Sequence, residues 1–270
     1  MSSTAVDAPV SSARPAFMQP HVLIGLAILA VVLLIWEFLP PAIGVPRFII
    51  PTISDMVAEL GRMYRREDLI ANIASTALYT VLGFAIGSLL GAVMGYLLGL
   101  SSFWEKVLSP YILALQIAPK VAFAPLFIMW FGYNATPKLL VTVLIVFFPV
   151  LVNVLAAMKT VDRDMVNLAR AYNLSRWQIF LKVEFPSTLP NLLAGLRISS
   201  TLAVIGVTVG ELVGGNTGLG FLIAYGGGQA NAAIVFNAII LLTLIGIALY
   251  SVLAWAEERL LHYIPTSHTS

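Results

Sequence analysis

Four polar residues lie within or beside long apolar stretches of this 270-residue chain, where a polar group is costly and therefore suggests a function. They are Gln116, Lys120, Glu211 and Asn216. A lysine inside a membrane span can attract an anionic solute, or it can extend its ammonium group to the nearer membrane surface. Glu211 can gate a path, contact a solute or a partner protein, or serve as an interfacial acid. Each of these roles is binding or conduction, and none is covalent catalysis.

Few groups in this sequence could carry covalent or metal chemistry. The chain has no cysteine, which excludes disulfides, thiolate nucleophiles and thiolate metal sites. Its three histidines, His21, His262 and His268, lie near the two ends, so a histidine metal site is not expected. No Gly-x-x-x-x-Gly-Lys-Ser/Thr sequence occurs, so the chain has no P-loop for nucleotide phosphates. We therefore expect no metal and no cofactor in this chain.

The composition identifies the class of protein. Hydrophobic residues make up 59% of the chain and charged residues 10%, whereas soluble domains contain about 25% charged residues. So few charges cannot cover a water-facing surface, and the sequence predicts an all-α integral membrane protein. The formal net charge of +2 is too small to suggest a nucleic-acid partner.

Six apolar segments are long enough to cross a membrane, so about six transmembrane helices are expected. They are Val22–Leu39, Ala77–Leu100, Val107–Gly132, Leu139–Met158, Leu192–Val213 and Ala233–Ala256. The third segment contains Pro110, Pro119 and Pro125, so it can be tilted, kinked or broken. The glycine-rich segment 214–220 is predicted to be the outer loop between the last two spans.

The distribution of lysine and arginine gives the expected orientation. With the N-terminus and the 159–190 loop in the cytoplasm, nine of the 15 lysines and arginines lie inside and five lie outside, and Lys120 lies within a span. Three of the outer residues form the arginine cluster of residues 62–66, which opposes this arrangement.

The segment that contains this cluster predicts an amphipathic helix along the outer membrane surface. Ser54 is expected to cap the helix at its N-terminus. Five apolar side chains then share one helical face, namely Met56, Val57, Leu60, Met63 and Tyr64.

Five glycines recur at every fourth position of the second span. They are Gly83, Gly87, Gly91, Gly95 and Gly99. In a helix this spacing places them in one slowly drifting stripe, and small residues at this spacing let membrane helices approach closely. We expect the stripe to pack against another helix of this chain, or against a second copy or a neighbour that slides during transport.

A charged stretch with helical pattern, NLARAYNLSRWQIFLKVEFPSTLP at 167–190, lies between two apolar segments. Asp162 is expected to cap a first helix, and Asn173 to end it in the left-handed conformation. Ser175 and Gln178 match the capping-box pattern of a second helix, which is expected to stop before the two prolines of the stretch. The loop is therefore predicted to be an ordered helix–turn–helix, and such an insert needs a surface to dock against.

This loop resembles the EAA coupling loop of ABC-importer permeases, written E-A-A-x-x-x-G and followed by I-x-L-P. Asn167, Leu168 and Ala169 stand at the E-A-A positions and Asn173 at the glycine position, so only Ala169 matches. Further family-like stretches are PKVAFAPLFIMWFG at 119–132, FFPVLVN at 147–153 and GELVGGNTGLGFLI at 210–223. Together these stretches resemble the permease of a nitrate/sulfonate/taurine-type ABC importer.

The resemblance implies the type I ABC-importer permease fold and a set of partners. These are a second permease copy, two ATPase subunits that bind ATP and Mg²⁺, and an extracytoplasmic substrate-binding protein. The chain would lie in the bacterial inner membrane with both termini cytoplasmic. Its substrate would be a small polar or anionic solute of the sulfonate, nitrate, bicarbonate, pyrimidine-precursor or aromatic-acid class.

The resemblance also assigns parts of the chain. Contact with the ATPase would fall to Asn167, Leu168, Ala169, Arg170, Ala171, Asn173, Leu174, Ser175 and Trp177. The expected parts are a disordered cytoplasmic tail at 1–20, the first span with the external amphipathic segment at 21–75, a permease core with its coupling loop (159–190) at 76–258, and a cytoplasmic tail at 259–270.

Two other classes of function compete with this one. A secondary transporter or channel with a structural cytoplasmic hairpin would show inverted repeats and intramembrane ion-coupling carboxylates, and the halves of this chain do not repeat. An intramembrane enzyme would need a catalytic dyad or metal ligands within the spans, where histidine and cysteine are absent.

Overall fold

The computed structural model describes residues 20–261, so most of the two predicted tails lies outside the described residues. Within that range the chain is helical, as predicted, and the helices are joined by short turns. In chain order they are α1 (Pro20–Ala42), α2 (Ile53–Arg66), α3 (Leu69–Gly99), α4 (Ser102–Ile117), α5 (Ala124–Phe131), α6 (Ala135–Lys159), α7 (Arg163–Ala171), α8 (Arg176–Ile179), α9 (Phe185–Gly214), α10 (Leu219–Gly228) and α11 (Ala232–Leu260).

The number of spans agrees with the sequence. Five helices of the described range are long and apolar enough to cross a membrane, or six if a bent pair counts as one span. In that pair α4 and the segment Lys120–Phe131 are bent by 80°. The break follows from Pro119, which disfavours helical geometry at the residue before it, so Ala118 is extended with ψ 137°. The third apolar segment is therefore broken.

The predicted outer loop at 214–220 is shorter than expected. Helix α9 continues to Gly214, and α10 already begins at Leu219. Only four residues, 215–218, connect the two helices.

The glycine stripe of α3 packs against α6 of the same chain. A Cβ atom on Gly91 would lie 2.5 Å from the carbonyl oxygen of Phe147, and one on Gly95 would lie 2.8 Å from that of Leu151. The other three glycines of the stripe also face α6 side chains or backbone. The backbones of the two helices are therefore in direct contact. Because α6 covers the glycine stripe, the stripe is not available for contact with a second copy of the chain.

Helix α9 approaches α6 from another side through glycines that the sequence analysis missed. A Cβ on Gly206 would lie 2.7 Å from Cα of Thr142, and one on Gly195 would lie 2.9 Å from Cβ of Asn153. Gly210 makes a similar approach to Lys138. These glycines share one face of α9. Their helical spacing in the sequence is the pattern that could have identified them. Helix α6 is thus enclosed by two close-packed neighbours.

Gly91→Leu is expected to destabilise the fold by at least about 2 kcal/mol, because its side chain would collide with a backbone that cannot move aside. The measurement is the thermal unfolding midpoint of the detergent-purified protein. Gly25→Leu on α1 is the matched control, since a Cβ there meets nothing within 4 Å. Equal midpoints for the two variants would show that the α3–α6 contact tolerates bulk.

The two ends of the bundle carry different elements. Helices α3 and α6 run parallel, since Gly83 faces Thr142 and Gly99 faces Met158, whereas α9 runs antiparallel to both. One end therefore holds α2, the start of α6, the end of α9 and α10, and we call it the α2 end. The opposite end, called the loop end, holds α7, α8 and the start of α4, where Lys159 pairs with Glu105 at 2.6 Å.

Helix α2 forms where the amphipathic segment was predicted, but its cap is different. Thr52, not Ser54, is the N-cap, because its hydroxyl accepts the Asp55 N–H while the Asp55 carboxylate accepts the Thr52 N–H. The hydrogen bond from the Thr52 hydroxyl also lowers the pKa of Asp55. Ser54 is engaged elsewhere, since its N–H and hydroxyl both donate to Glu37 of α1.

One part of the apolar face of α2 packs against the rest of the chain, and the other part is exposed. Met56 and Met63 are buried, and the side-chain amide of Asn237 on α11 donates to the Met56 carbonyl at 2.8 Å. Val57 and Tyr64 are 67% and 64% exposed. A helix fixed to the bundle on one flank with an apolar strip on the other is typical of an interfacial position.

Candidate functional site

The local geometry of the predicted loop agrees with the sequence. The Asp162 carboxylate accepts the Asp164 N–H at 2.8 Å at the start of α7, and Asn173 after its end has a left-handed φ of 57°. Ser175 and Gln178 form both hydrogen bonds of a capping box, at 2.8 and 3.3 Å. The caps and the turn predicted at the loop end are therefore confirmed.

The predicted end of the second helix is wrong. The helix does not stop before Pro186 but continues from Arg176 to Gly214 as one span of 39 residues. A π-helical turn at Phe180–Glu184 makes this possible. The regular α-helix resumes after this turn, so Pro186 lies in the first turn of α9. Proline is tolerated in a first turn, because its backbone has no N–H and none is needed for a hydrogen bond within the helix there. The second helix of the loop and the fifth span are thus one continuous element.

Apolar side chains on the loop face outward. Met165 and Leu168 on α7 and Tyr172, the residue directly after it, are 51%, 53% and 74% exposed, and Trp177 on α8 is 66% exposed. The first three follow helical spacing and form one stripe. We call these four residues the loop patch. Exposed aromatic and aliphatic side chains that are grouped on an ordered surface helix indicate a surface that binds another protein or a membrane.

The other loop residues singled out from the sequence are placed differently. Ala169 is only 8% exposed, so the alanine that matches the family motif is covered by this chain itself. Leu174 is half-buried, and its N–H donates to the Ala169 carbonyl at 3.1 Å. Five further residues are exposed: Asn167, Arg170, Ala171, Asn173 and Ser175.

Aromatic contacts join the loop to the glycine-rich helix α3. The Trp177 ring stacks on Phe180 at 5.4 Å, and Phe180 meets Tyr96 of α3 edge-on at 5.2 Å. The Tyr96 hydroxyl lies 2.8 Å from that of Thr188 on α9 in a buried hydrogen bond. These contacts connect Trp177 of the loop patch to α3 and α9.

At the α2 end, Glu211 is completely buried at the centre of a polar network. Its carboxylate accepts hydrogen bonds from Thr76 Oγ1 at 2.8 Å and from the Gly220 N–H at 3.0 Å. Lys138 Nζ lies 3.3 Å from its other oxygen. This ammonium also donates to Ser75 at 2.9 Å and lies 4.3 Å from the centre of the Tyr79 ring. Lys138 was missed by sequence analysis, because it lies at the end of a span, where lysine is common.

This network fixes the start of α10. The N–H groups of Gly218, Leu219 and Gly220 have no partner within their own helix, and Asn72, Thr76 and Glu211 accept them at 2.6, 2.8 and 3.0 Å. Gly218 has φ 111°, and any Cβ there would collide with the Glu211 carboxyl group. Glu211 is thus neither an interfacial acid nor open to a solute in this conformation.

The remaining polar candidates do not converge on one point. Lys120 lies at the break between α4 and α5, where its ammonium donates to the Gln116 carbonyl at 2.5 Å and lies 5.1 Å from the centre of the Phe148 ring. Phe148 is near the middle of α6, so the Lys120 ammonium lies beside the middle of that helix and not beside either of its ends. Asn216 is exposed in the turn before α10 at the α2 end.

Among residues 20–261, no group of three or more histidine, aspartate or glutamate side chains is arranged to hold a metal ion. The polar side chains around Glu211 and the Lys120 ammonium bond one another or backbone groups.

Comparison with known proteins gives consistent matches. The family model described as "Binding-protein-dependent transport system inner membrane component" matches residues 87–262. The formylaminopyrimidine transport permease protein ThiX of Halalkalibacterium halodurans is 36% identical over 85% of this chain and 91% of its own length. The taurine transport system permease protein TauC of Escherichia coli is 28% identical over 90% of each chain. A chain of the inward-facing MetNI methionine ABC transporter superposes with a TM-score of 0.61 at 19% identity, covering 73% of this chain and 96% of that one.

Proposed function

We propose a detailed role for this chain from the premise that it belongs to the family of binding-protein-dependent transport system inner membrane components. It is a multi-pass permease of an ABC importer in the inner membrane, of the type to which nitrate, sulfonate and taurine permeases belong. ATP hydrolysis belongs to a separate ATPase chain, and a binding protein supplies the solute. No cofactor is expected in a chain of this family.

The loop patch is the observation that carries the proposed coupling. It is an ordered apolar surface at one end of the bundle, and it is continuous with a 39-residue span through α8. We place the ATPase on this patch, with Leu168, Tyr172 and Trp177 as the main contacts. The buried Ala169 supports the loop from within.

The broken third span is the proposed site of solute passage. A charged group beside the middle of a membrane span is costly unless it faces water or a ligand, and the Lys120 ammonium uses one of its three donors on Gln116. We assign Lys120 to the attraction of an anionic or electron-rich polar solute. The relatives named for taurine, nitrate and formylaminopyrimidine support a small sulfonate, another oxyanion or a pyrimidine precursor, and the identity of the solute depends on the binding protein.

The proposed assembly has two permease copies with the path between them, two ATPases at the loop end and a binding protein at the α2 end. The loop end would then be cytoplasmic and the α2 end external, in keeping with the lysine and arginine bias. Because the chain lacks cysteine, Ser175→Cys gives a specific probe. In intact cells it should resist a membrane-impermeant maleimide that labels Asn216→Cys, and the reverse pattern would invert the orientation.

The test of function is solute uptake into vesicles that contain the permease, its ATPase and the binding protein. Uptake should require ATP, and loaded binding protein should accelerate hydrolysis. A secondary transporter or channel would move solute without ATP and would be indifferent to the ATPase, so uptake of that kind would overturn the proposal.

A further inference from the structure

Four consecutive charged residues form the corner between α2 and α3 at the α2 end. We call Arg65, Arg66, Glu67 and Asp68 the charged corner. Arg65, Arg66 and Asp68 are exposed and Glu67 is half-buried. No ion pair within the described range 20–261 involves any of the four, although five other ion pairs form there. These charges therefore lie at the surface without ion-pair partners among residues 20–261.

The backbone beneath the charged corner is held in place. The side-chain amide of buried Asn72 donates to the carbonyl oxygens of Glu67 and Asp68 at 2.7 and 3.3 Å, and its oxygen accepts the Gly218 N–H at 2.6 Å. Asp68 has a left-handed φ of 46°, a costly conformation for a residue other than glycine. A surface ordered in advance loses less entropy when a partner binds it.

A polar cleft of about 210 Å³ lies beside the corner, between α2 and the turn from α10 to α11. Arg66 and Glu67 form one side, and Gln229 and Asn231 lie on the opposite side. Two side-chain amides and two charges of opposite sign can receive a polar side chain of a partner protein. The cleft thus extends the charged corner into a recessed surface.

The mixture of charges identifies the kind of partner. Anionic membrane surfaces attract clusters of basic residues, and the two arginines of the corner are matched by two acids, so the corner as a whole has no net charge. A protein surface with complementary charges can pair with all four, and such pairs at the rim of an interface govern encounter and specificity. The observations therefore favour a protein over lipid.

We propose that the charged corner is a docking point for the substrate-binding protein. This inference rests on the proposed function, which places that protein at the α2 end. Asn72 then links the docked surface to the start of α10 and, through Thr76 and Leu219, to the buried Glu211 network. Docking is thereby sensed at the outer ends of α3, α6 and α9.

Two charge variants test the proposal in vesicles that contain the permease and its ATPase. The probe is the purified substrate-binding protein of this importer, carrying its native solute. Arg65→Glu/Arg66→Glu should raise the concentration that half-maximally stimulates ATP hydrolysis by about tenfold or more, since like charges across an interface repel. Arg66→Glu/Glu67→Arg keeps the net charge but reverses the order of the charges, and it should also raise that concentration.

Lys106→Glu is the matched control, because Lys106 is an exposed residue at the loop end, outside the loop patch, and it forms no ion pair among residues 20–261. Hydrolysis without binding protein should be the same in all variants. The proposal is overturned if both corner variants keep the wild-type half-stimulating concentration. It is equally overturned if only the doubly acidic variant differs, and only in vesicles with anionic lipid, since that pattern identifies a lipid contact.

Cross-linking gives a second test that does not depend on hydrolysis. A photoreactive maleimide on Arg65→Cys should cross-link the binding protein, whereas the same reagent on Lys106→Cys should not. Absence of the Arg65 adduct under conditions where loaded binding protein stimulates hydrolysis would refute docking at the corner. A wild-type permease that is never stimulated would instead refute the proposed function itself.

Discussion

Leu168→Arg is expected to release the ATPase and abolish ATP-driven uptake while the permease remains folded in the membrane. Leu168 is 53% exposed, so arginine can be accommodated without repacking, but it places a charge at the centre of the loop patch. Burial of a charge without a partner should weaken the association at least about tenfold. The measurements are co-purification of the ATPase and substrate-stimulated hydrolysis in vesicles.

Arg163→Gln is the control for this change, because it alters an exposed residue of the same helix outside the loop patch. It should retain the ATPase. Ala169→Arg is a poor substitute for the test, since Ala169 is 8% exposed and a large side chain there would disturb the loop itself. If the Leu168 variant keeps its ATPase and full stimulation, the loop is a structural hairpin and the coupling assignment is wrong.

Glu211→Ala is expected to cost about 3–5 kcal/mol of stability, because it leaves the buried Lys138 ammonium without its carboxylate. The Gly220 N–H and the Thr76 hydroxyl lose their acceptor as well. The predicted result is a large drop in the unfolding midpoint in detergent and a low yield of folded protein.

The double variant Glu211→Leu/Lys138→Met should recover a large part of that loss, because replacing both members of a buried pair with apolar groups is far less costly than removing one. Glu258→Ala changes an exposed glutamate of α11 and should leave the midpoint near the wild-type value. A Glu211→Ala protein as stable as this control would mean that the network contributes no stability.

The features that sequence predicted well are those with local causes. Asp162, Asn173 and the Ser175–Gln178 pair act on backbone groups within a few residues, so their types alone predict the caps and the turn. Membrane spans likewise follow from the length of each apolar segment. A local rule also produced one error, since Thr52 and Ser54 both suit a helix cap, and the reciprocal hydrogen bonds between Thr52 and Asp55 decide between them.

The features that sequence did not predict depend on tertiary contacts. No local pattern pairs Lys138 with Glu211, because the two residues are brought together only by the packing of α6 against α9. The same packing makes the glycines of α9 as close to α6 as those of α3. Pro186 suggested a helix end, and the sequence analysis did not predict the π-turn at Phe180–Glu184 that accommodates it.

The continuous helix from Arg176 to Gly214 has a mechanical consequence. At 1.5 Å per residue its 39 residues extend about 58 Å, so a tilt of only about 5° at the loop end moves the far end by about 5 Å. The glycines of α9 pack directly against α6, so few side-chain atoms at this contact can move to absorb such a tilt. The loop end and Glu211 are thus joined by one long helical element, and under the proposed coupling role a displacement of about 5 Å at its far end would exceed the 3.3 Å distance between Glu211 and Lys138.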